Sequence, residues 1–533
     1  MGSVVLATLI AASCTGANSG VTTEPRVSTT TTTDSADANT DTDTTDTADT
    51  NTSSAVESPD TTDAVPATTE PGEPMPFDPG PVEWEEFDAE VDVATVSVPV
   101  DYANPDGDTF DLFLARSAAL DPEARIGSLL VNPGGPGYGG SDFAFFAAQI
   151  FPRTLRERFD IIGWDPRGTG ESDPPVDCID DYDPYFTDID STTETDEEYE
   201  RLVDVAEEFA SLCVEQNESI YNFVGTNNSA RDIDSIRQAL GEDTLSFFGF
   251  SYGSELGATW ATLFPDTVRA AVLDGAADPT ADSVESSLQQ LAGFQGSLES
   301  FLADCDDSGL CAFAPDGDAT SAYIALMESL DETPVSGAPG RPKVNRDVAT
   351  GAVIQAMYSD SYWPALEQSL ADAQAGDGGG LLAFFDQYYE RQDDGTYGNE
   401  LEAFQTISCA DDAERLSAEE TDAVNAEFFA VAPLLVPEGA SGGYFCNFFP
   451  PARDPRVGIT GAGAGPIVVI GTTGDPATPL ASTRVMAETL EDGRLVIVEA
   501  DQHTGYGVND CVVQLVDDYL IDLVAPETET LCE

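Results

Sequence analysis

Short apolar runs alternate with polar, turn-rich stretches through most of this chain, beginning near Trp84. Residues 95–100 alternate, the period of a half-buried strand, and 110–116 read as another strand. Residues 128–132 form a short apolar run, and 159–163 repeat the pattern. Each stops at punctuation: Pro133-Gly134-Gly135-Pro136-Gly137 after the first, Trp164-Asp165-Pro166-Arg167-Gly168 after the second. Residues 230–240 are amphipathic at helical spacing, 245–248 read as a strand, 255–264 as a helix and 270–273 as a strand. From about 282 to 453 helical stretches replace this rhythm, and strands at 466–471 and 494–498 restore it. Strands alternating with helices predict a parallel α/β sheet. The pattern therefore predicts a core in two parts, 80–281 and 454–533, with a helical cap over 282–453.

The first eighty residues follow another logic. Val4 to Ala12 is a short apolar run ending at Ala11-Ala12-Ser13-Cys14. Its length suits a signal-peptide core rather than a membrane span. Small residues before a cysteine resemble a bacterial lipobox, although Ala11 stands where leucine is usual. Residues 1–14 are expected to be a signal peptide, with Cys14 as the lipidated residue; a plain cleaved secretion signal is the alternative. Residues 15–79 are nearly all Thr, Asp, Ser, Ala, Glu and Pro. Such a segment buries too little apolar surface to offset its ordering entropy, so it is expected to be a disordered tether.

Charge changes the picture of partners. The chain of 533 residues carries 99 acidic and 20 basic side chains, a formal charge of −79, and Lys343 is its only lysine. That surface repels nucleic acid and anionic membranes, leaving the anchor at Cys14 as the expected membrane contact. Salt would relax the self-repulsion. Eight cysteines follow Cys14, and their spacing suggests sequential disulfide pairs in an exported chain. No Cys-x-x-Cys occurs and there is one histidine, which argues against a zinc site.

That histidine, His503, lies downstream of Gly249-Phe250-Ser251-Tyr252-Gly253, with Asp475 between them. Gly-x-Ser-x-Gly alone is weak, since Gly439-Ala440-Ser441-Gly442-Gly443 also fits. Only Ser251 follows an apolar strand and precedes a helix, the turn that lifts a serine hydroxyl out of a sheet. Ser251 is read as nucleophile, His503 as its base and Asp475 as the acid orienting the imidazole, with Asp274 as the competing acid. The Tyr252 N–H is one expected oxyanion donor. Pro133 and Pro136 have no N–H, so the second is Gly134 or Gly135, with Gly135 preferred.

Taken together, Asn132 to Gly137, Asp165 to Gly168, Gly249 to Gly253, Ile407-Ser408-Cys409-Ala410-Asp411 and Gly474-Asp475-Pro476 with His503 resemble the secreted tripeptidyl aminopeptidases. These are relatives of the proline iminopeptidases in the α/β-hydrolase fold, and the resemblance spans about 82–533. It implies a mostly parallel central sheet with a helical cap, no cofactor, and release of short peptides or single residues from free N-termini through an acyl-enzyme on Ser251. A carboxylesterase of the same fold is the alternative, since substrate does not follow from fold. A non-catalytic substrate-binding lipoprotein is a third reading, which the complete Ser, Asp and His set opposes. Dehalogenase or epoxide hydrolase chemistry would place aspartate where Ser251 stands.

Overall fold

The computed structural model describes residues 77–533 except 393. Residues 1–14 with Cys14, and nearly all of 15–79, lie outside the described residues.

The strands are β1 (Glu85–Glu86), β2 (Val91–Pro99), β3 (Thr109–Ser117), β4 (Gly127–Asn132), β5 (Phe159–Trp164), β6 (Leu245–Phe250), β7 (Val268–Asp274), β8 (Ile467–Thr472), β9 (Gly493–Val498) and β10 (Glu529–Cys532). They form one sheet in the order β1-β2-β3-β5-β4-β6-β7-β8-β9-β10. The first three strands pair antiparallel, and β3 meets β5 antiparallel. From β5 through β10 every pairing is parallel. All residues of β4, β5, β6 and β8 are buried, as expected for parallel strands covered on both faces. The order reverses at β4, which lies between β5 and β6. In an open parallel sheet, ligands usually bind beyond the carboxyl ends of the strands at such a reversal.

Twelve helices of ten residues or more occur among the described residues. In chain order they are α1 (Asp196–Gln216), α2 (Thr226–Ala239), α3 (Tyr252–Leu263), α4 (Ser283–Ser308), α5 (Ala319–Glu332), α6 (Arg346–Met357), α7 (Trp363–Gln374), α8 (Gly379–Tyr388), α9 (Glu400–Asp411), α10 (Ala418–Val431), α11 (Leu480–Thr489) and α12 (Asp510–Asp522). Helices α4 to α10 fill the stretch between β7 and β8, so the insertion is helical as the pattern predicts.

Helix α1 lies in a stretch read only as core. It opens on a capping box between Thr195 and Glu198, and buries Leu202, Ala206, Phe209, Ala210 and Cys213 along one stripe. Phe209 meets Phe445, late in the insertion, edge to face at 5.1 Å. A second excursion, after β5, thus joins the cap. Arg167 closes the core beneath it. Wholly buried, its guanidinium holds Asp232 and accepts no exposure to water, with further bonds to the Pro99, Val100 and Phe223 carbonyls. Arg167 of the Asp165-Pro166-Arg167-Gly168 motif is therefore a structural ion-pair residue.

Four disulfides join Cys178 to Cys213, Cys305 to Cys311, Cys409 to Cys446 and Cys511 to Cys532, the sequential pairing that the spacing suggests. Among the described residues no helix is long and apolar enough to cross a membrane.

Candidate active site

Strand β6 runs straight into Ser251, and α3 begins at the next residue. Ser251 has φ 53° and ψ −125°, a conformation that L side chains adopt only under constraint. Its neighbours impose it. A Cβ on Gly249 would overlap the Gly253 carbonyl oxygen, so the strand and helix can close this turn only with glycine there. The Ser251 N–H donates to the Asp274 carbonyl oxygen at the end of β7, 2.8 Å away.

His503 and Asp475 come from the loops after β9 and β8, and both are buried. His503 Nδ1 lies 2.8 Å from Asp475 Oδ1 and 3.0 Å from Oδ2. The carboxylate is itself fixed by N–H donors from Ala477 (3.0 Å), Thr478 (2.7 Å) and Thr504 (3.1 Å). His503 Nε2 is buried and has no hydrogen-bond partner among the described residues. Gly275 relates the ring to Ser251. It follows the Asp274 carbonyl that Ser251 binds, and a Cβ on it would stand 3.1 Å from His503 Cε1.

The competing acid, Asp274, does something else. Its carboxylate accepts from the Gly505 and Tyr506 amides at 2.8 and 2.7 Å, bracing the loop just beyond His503. Burial pushes its carboxyl up to about 7.

On the other side of Ser251, the loop after β4 supplies amides. A Cβ on Gly134 would stand 2.9 Å from Ser251 Cβ and 3.1 Å from Tyr252 N, so this loop lies directly against the turn. The Gly134 N–H is already used, donating to Asn132 Oδ1 at 3.0 Å. Gly135 follows Gly134 in the same loop, and the Tyr252 N–H at the start of α3 has no partner within the helix. Ser441 lies apart from this arrangement. It sits in a loop before a short turn at Phe445–Phe448, its N–H on the Ser191 carbonyl at 2.8 Å.

Several relatives align with more than four-fifths of the chain. A family model described as "alpha/beta hydrolase fold" matches residues 127–510. This chain is an α/β hydrolase. The hydrolase is 34% identical to "Serine protease Hip1" of Mycobacterium tuberculosis, over 82% of this chain and 86% of that one. It is 36% identical to "Carboxylesterase B" of the same organism, over 82% and 86%. It is also 27% identical to "Tripeptidyl aminopeptidase" of Streptomyces lividans, over 83% and 84%.

The hydrolase also gathers residues near the site that its sequence did not single out, most of them from the cap. Tyr358, just after α6, accepts the His503 N–H on its carbonyl at 3.0 Å, and the two rings meet edge to face at 5.6 Å. Tyr138 follows the amide loop; its hydroxyl is buried without a hydrogen-bond partner among the described residues. Burial, then the charges of Glu390 and Glu400, push that phenol well above its usual range, with Tyr388 and Tyr358 also nearby. Glu400 is itself raised, by burial and then by Asp165 and Asp142. Only the fold gathers these residues, so no local motif marks them.

Proposed function

We propose that this serine hydrolase is an aminopeptidase that releases short peptides or single residues from free N-termini. Ser251 Oγ attacks the scissile carbonyl while His503 Nε2 takes its proton. Asp475 holds the imidazole in the tautomer with Nδ1 protonated and stabilises the imidazolium. The Tyr252 and Gly135 amides receive the oxyanion. His503 then returns the proton to the leaving amine, and water attacks the resulting acyl-enzyme by the same route in reverse. The observation that carries this reading is His503, held at Nδ1 by a buried, fully bonded aspartate and carrying an unpaired, buried Nε2.

The preference for a free amine rests on Glu390 and Glu400 around the unpaired Tyr138 hydroxyl. A partly desolvated carboxylate pairs strongly with an ammonium, and a substrate ammonium there would balance two like charges. The test uses matched substrates. A free-amine tripeptidyl or aminoacyl anilide is cleaved, and its N-acetyl form at least tenfold worse, about 1.4 kcal/mol in transition-state binding. Equal rates, or faster turnover of simple acyl esters, would favour the carboxylesterase reading, which the 36% identity to a protein of that name supports.

We also propose that the enzyme is exported and held at the cell surface by lipid on Cys14. The apolar run before Cys14 and the four disulfides support this. Mass spectrometry from a bacterial host should find diacylglycerol on Cys14, and Cys14→Ser should release a soluble, active enzyme. An unmodified Cys14, or a mature start well beyond it, would remove the anchor.

A further inference from the structure

Helix α9, the cap helix Glu400–Asp411, touches both sides of the oxyanion site. Its first turn lies against the amide loop. A Cβ on Gly137 would overlap the Glu400 carbonyl oxygen and stand 2.6 Å from Phe404 N, so loop and helix are in direct backbone contact. Its last residue, Asp411, reaches the other side. Asp411 Oδ1 accepts the Thr226 N–H at 2.7 Å, and Oδ2 accepts the Thr226 hydroxyl at 2.5 Å. Thr226 Oγ1 in turn lies 2.5 Å from Tyr252 Oη. A threonine hydroxyl has one proton. Burial pushes the Asp411 carboxyl up to about 7, so above that pH it is ionised and takes this proton; Oγ1 then accepts from the tyrosine, and the chain runs Tyr252 to Thr226 to Asp411.

The helix is itself held firmly. The disulfide from Cys409 to Cys446 ties down its last turn. Arg415 caps its end, donating to the Cys409 carbonyl at 2.5 Å and to the Asp412, Phe449 and Pro450 carbonyls. Twelve residues of helix span about 18 Å, and the two contacts sit at opposite ends of that rod.

We propose that α9 sets the spacing of the two oxyanion donors, with Asp411 as a positioning residue acting through Thr226 on Tyr252. The proposal rests on the reading of Ser251 as nucleophile. Tyr252 carries one donor on its backbone, and its side chain is the handle by which Asp411 orients it. The Gly137 contact steadies the loop that carries the other donor, Gly135. Oxyanion donors work only within a few tenths of an ångström of their target, so a single rigid brace at both is an economical way to keep the distance. It also places the cap, which would meet the substrate, in direct mechanical contact with the catalytic amides.

An interaction felt only when the oxyanion forms changes kcat and leaves KM alone. With a free-amine anilide, Tyr252→Phe and Thr226→Val should each lower kcat about tenfold while KM stays within twofold. Thr226→Ser, which keeps the hydroxyl, should retain the wild-type kcat. The Tyr252→Phe, Thr226→Val double variant should be no slower than the worse single, because both break one chain. Asp411→Asn should fall in the same class. Since Asp411 is buried, its result is read beside the two hydroxyl deletions. Three results would each overturn the proposal: unchanged kcat in Tyr252→Phe and Thr226→Val, equal loss in Thr226→Ser and Thr226→Val, or multiplying losses in the double variant. Fluorophosphonate labelling of the wild type, mapped by peptide, keeps the two readings apart. Label missing from Ser251 would fail the nucleophile assignment, whereas label on Ser251 with the kinetic results above would fail the brace alone.

Discussion

Two buried aspartates stand near His503, and they hold different things. Asp475 contacts the ring nitrogen, whereas Asp274 accepts the amides of Gly505 and Tyr506. Asp475→Asn should therefore lower kcat by roughly a thousandfold or more, because an amide in that place favours the wrong imidazole tautomer. Asp274→Asn should cost activity far less and show mainly as a lower melting temperature, since its loop loses a charged acceptor. Steady-state kinetics on one anilide beside thermal melts of both variants measure this; the reverse ranking would move the catalytic acid to β7. At this scale much was legible. Ser251 separates from Ser441 by the apolar run before it, and the Ser441 loop indeed lacks a strand. Asp475 and His503 each follow an apolar strand run in the sequence, and the structure brings their side chains together. Tyr138, Tyr358, Glu390 and Glu400 carry no such signal, because each is an ordinary residue until the cap folds over the loops.

Elements were legible where local signals agreed with the fold. The buried strands β4, β5, β6 and β8 are mostly apolar, each with one or two buried polar residues such as Asn132, Asp160, Ser246 and Thr472, and the expected runs lie within two residues of their ends. Helix α3 begins at Tyr252, three residues before its apolar periodicity starts, because the strained turn at Ser251 dictates where it opens. Helix α1 had a readable start in Thr195 and Glu198 and a buried stripe at helical spacing, but its acidic composition resembles a solvated loop. Strands β1 and β10 carried no usable signal. Glu85-Glu86 and Glu529–Cys532 are short and partly acidic, so they pair only because a neighbouring strand offers an open edge.

Over the whole molecule, the charge of −79 conceals a set of carboxyls that resist ionisation. Burial pushes Asp274, Asp411 and Glu402 up to about 7, and Asp347 up to about 6. In the unfolded chain such groups titrate near 4. Between about pH 4 and 7 the folded state thus binds more protons than the unfolded one, and stability falls as pH rises, by up to about 1.4 kcal/mol per unit for each group. The melting temperature should therefore be higher at pH 5.5 than at pH 7.5. Melts in high, constant salt isolate this effect, because salt screens the general repulsion that acidification also relieves. A melting temperature that falls steadily from pH 7.5 to 5.5 would show that these buried carboxyls do not dominate.

If Ser251 is the nucleophile, His503 must activate it. A fluorophosphonate probe, followed by peptide mapping, tests it in one measurement on wild type and His503→Ala. Label should appear on Ser251 in the wild type, little in His503→Ala, and none on Ser441 in either. Label on Ser441, or equal labelling of Ser251 without the histidine, would contradict these roles.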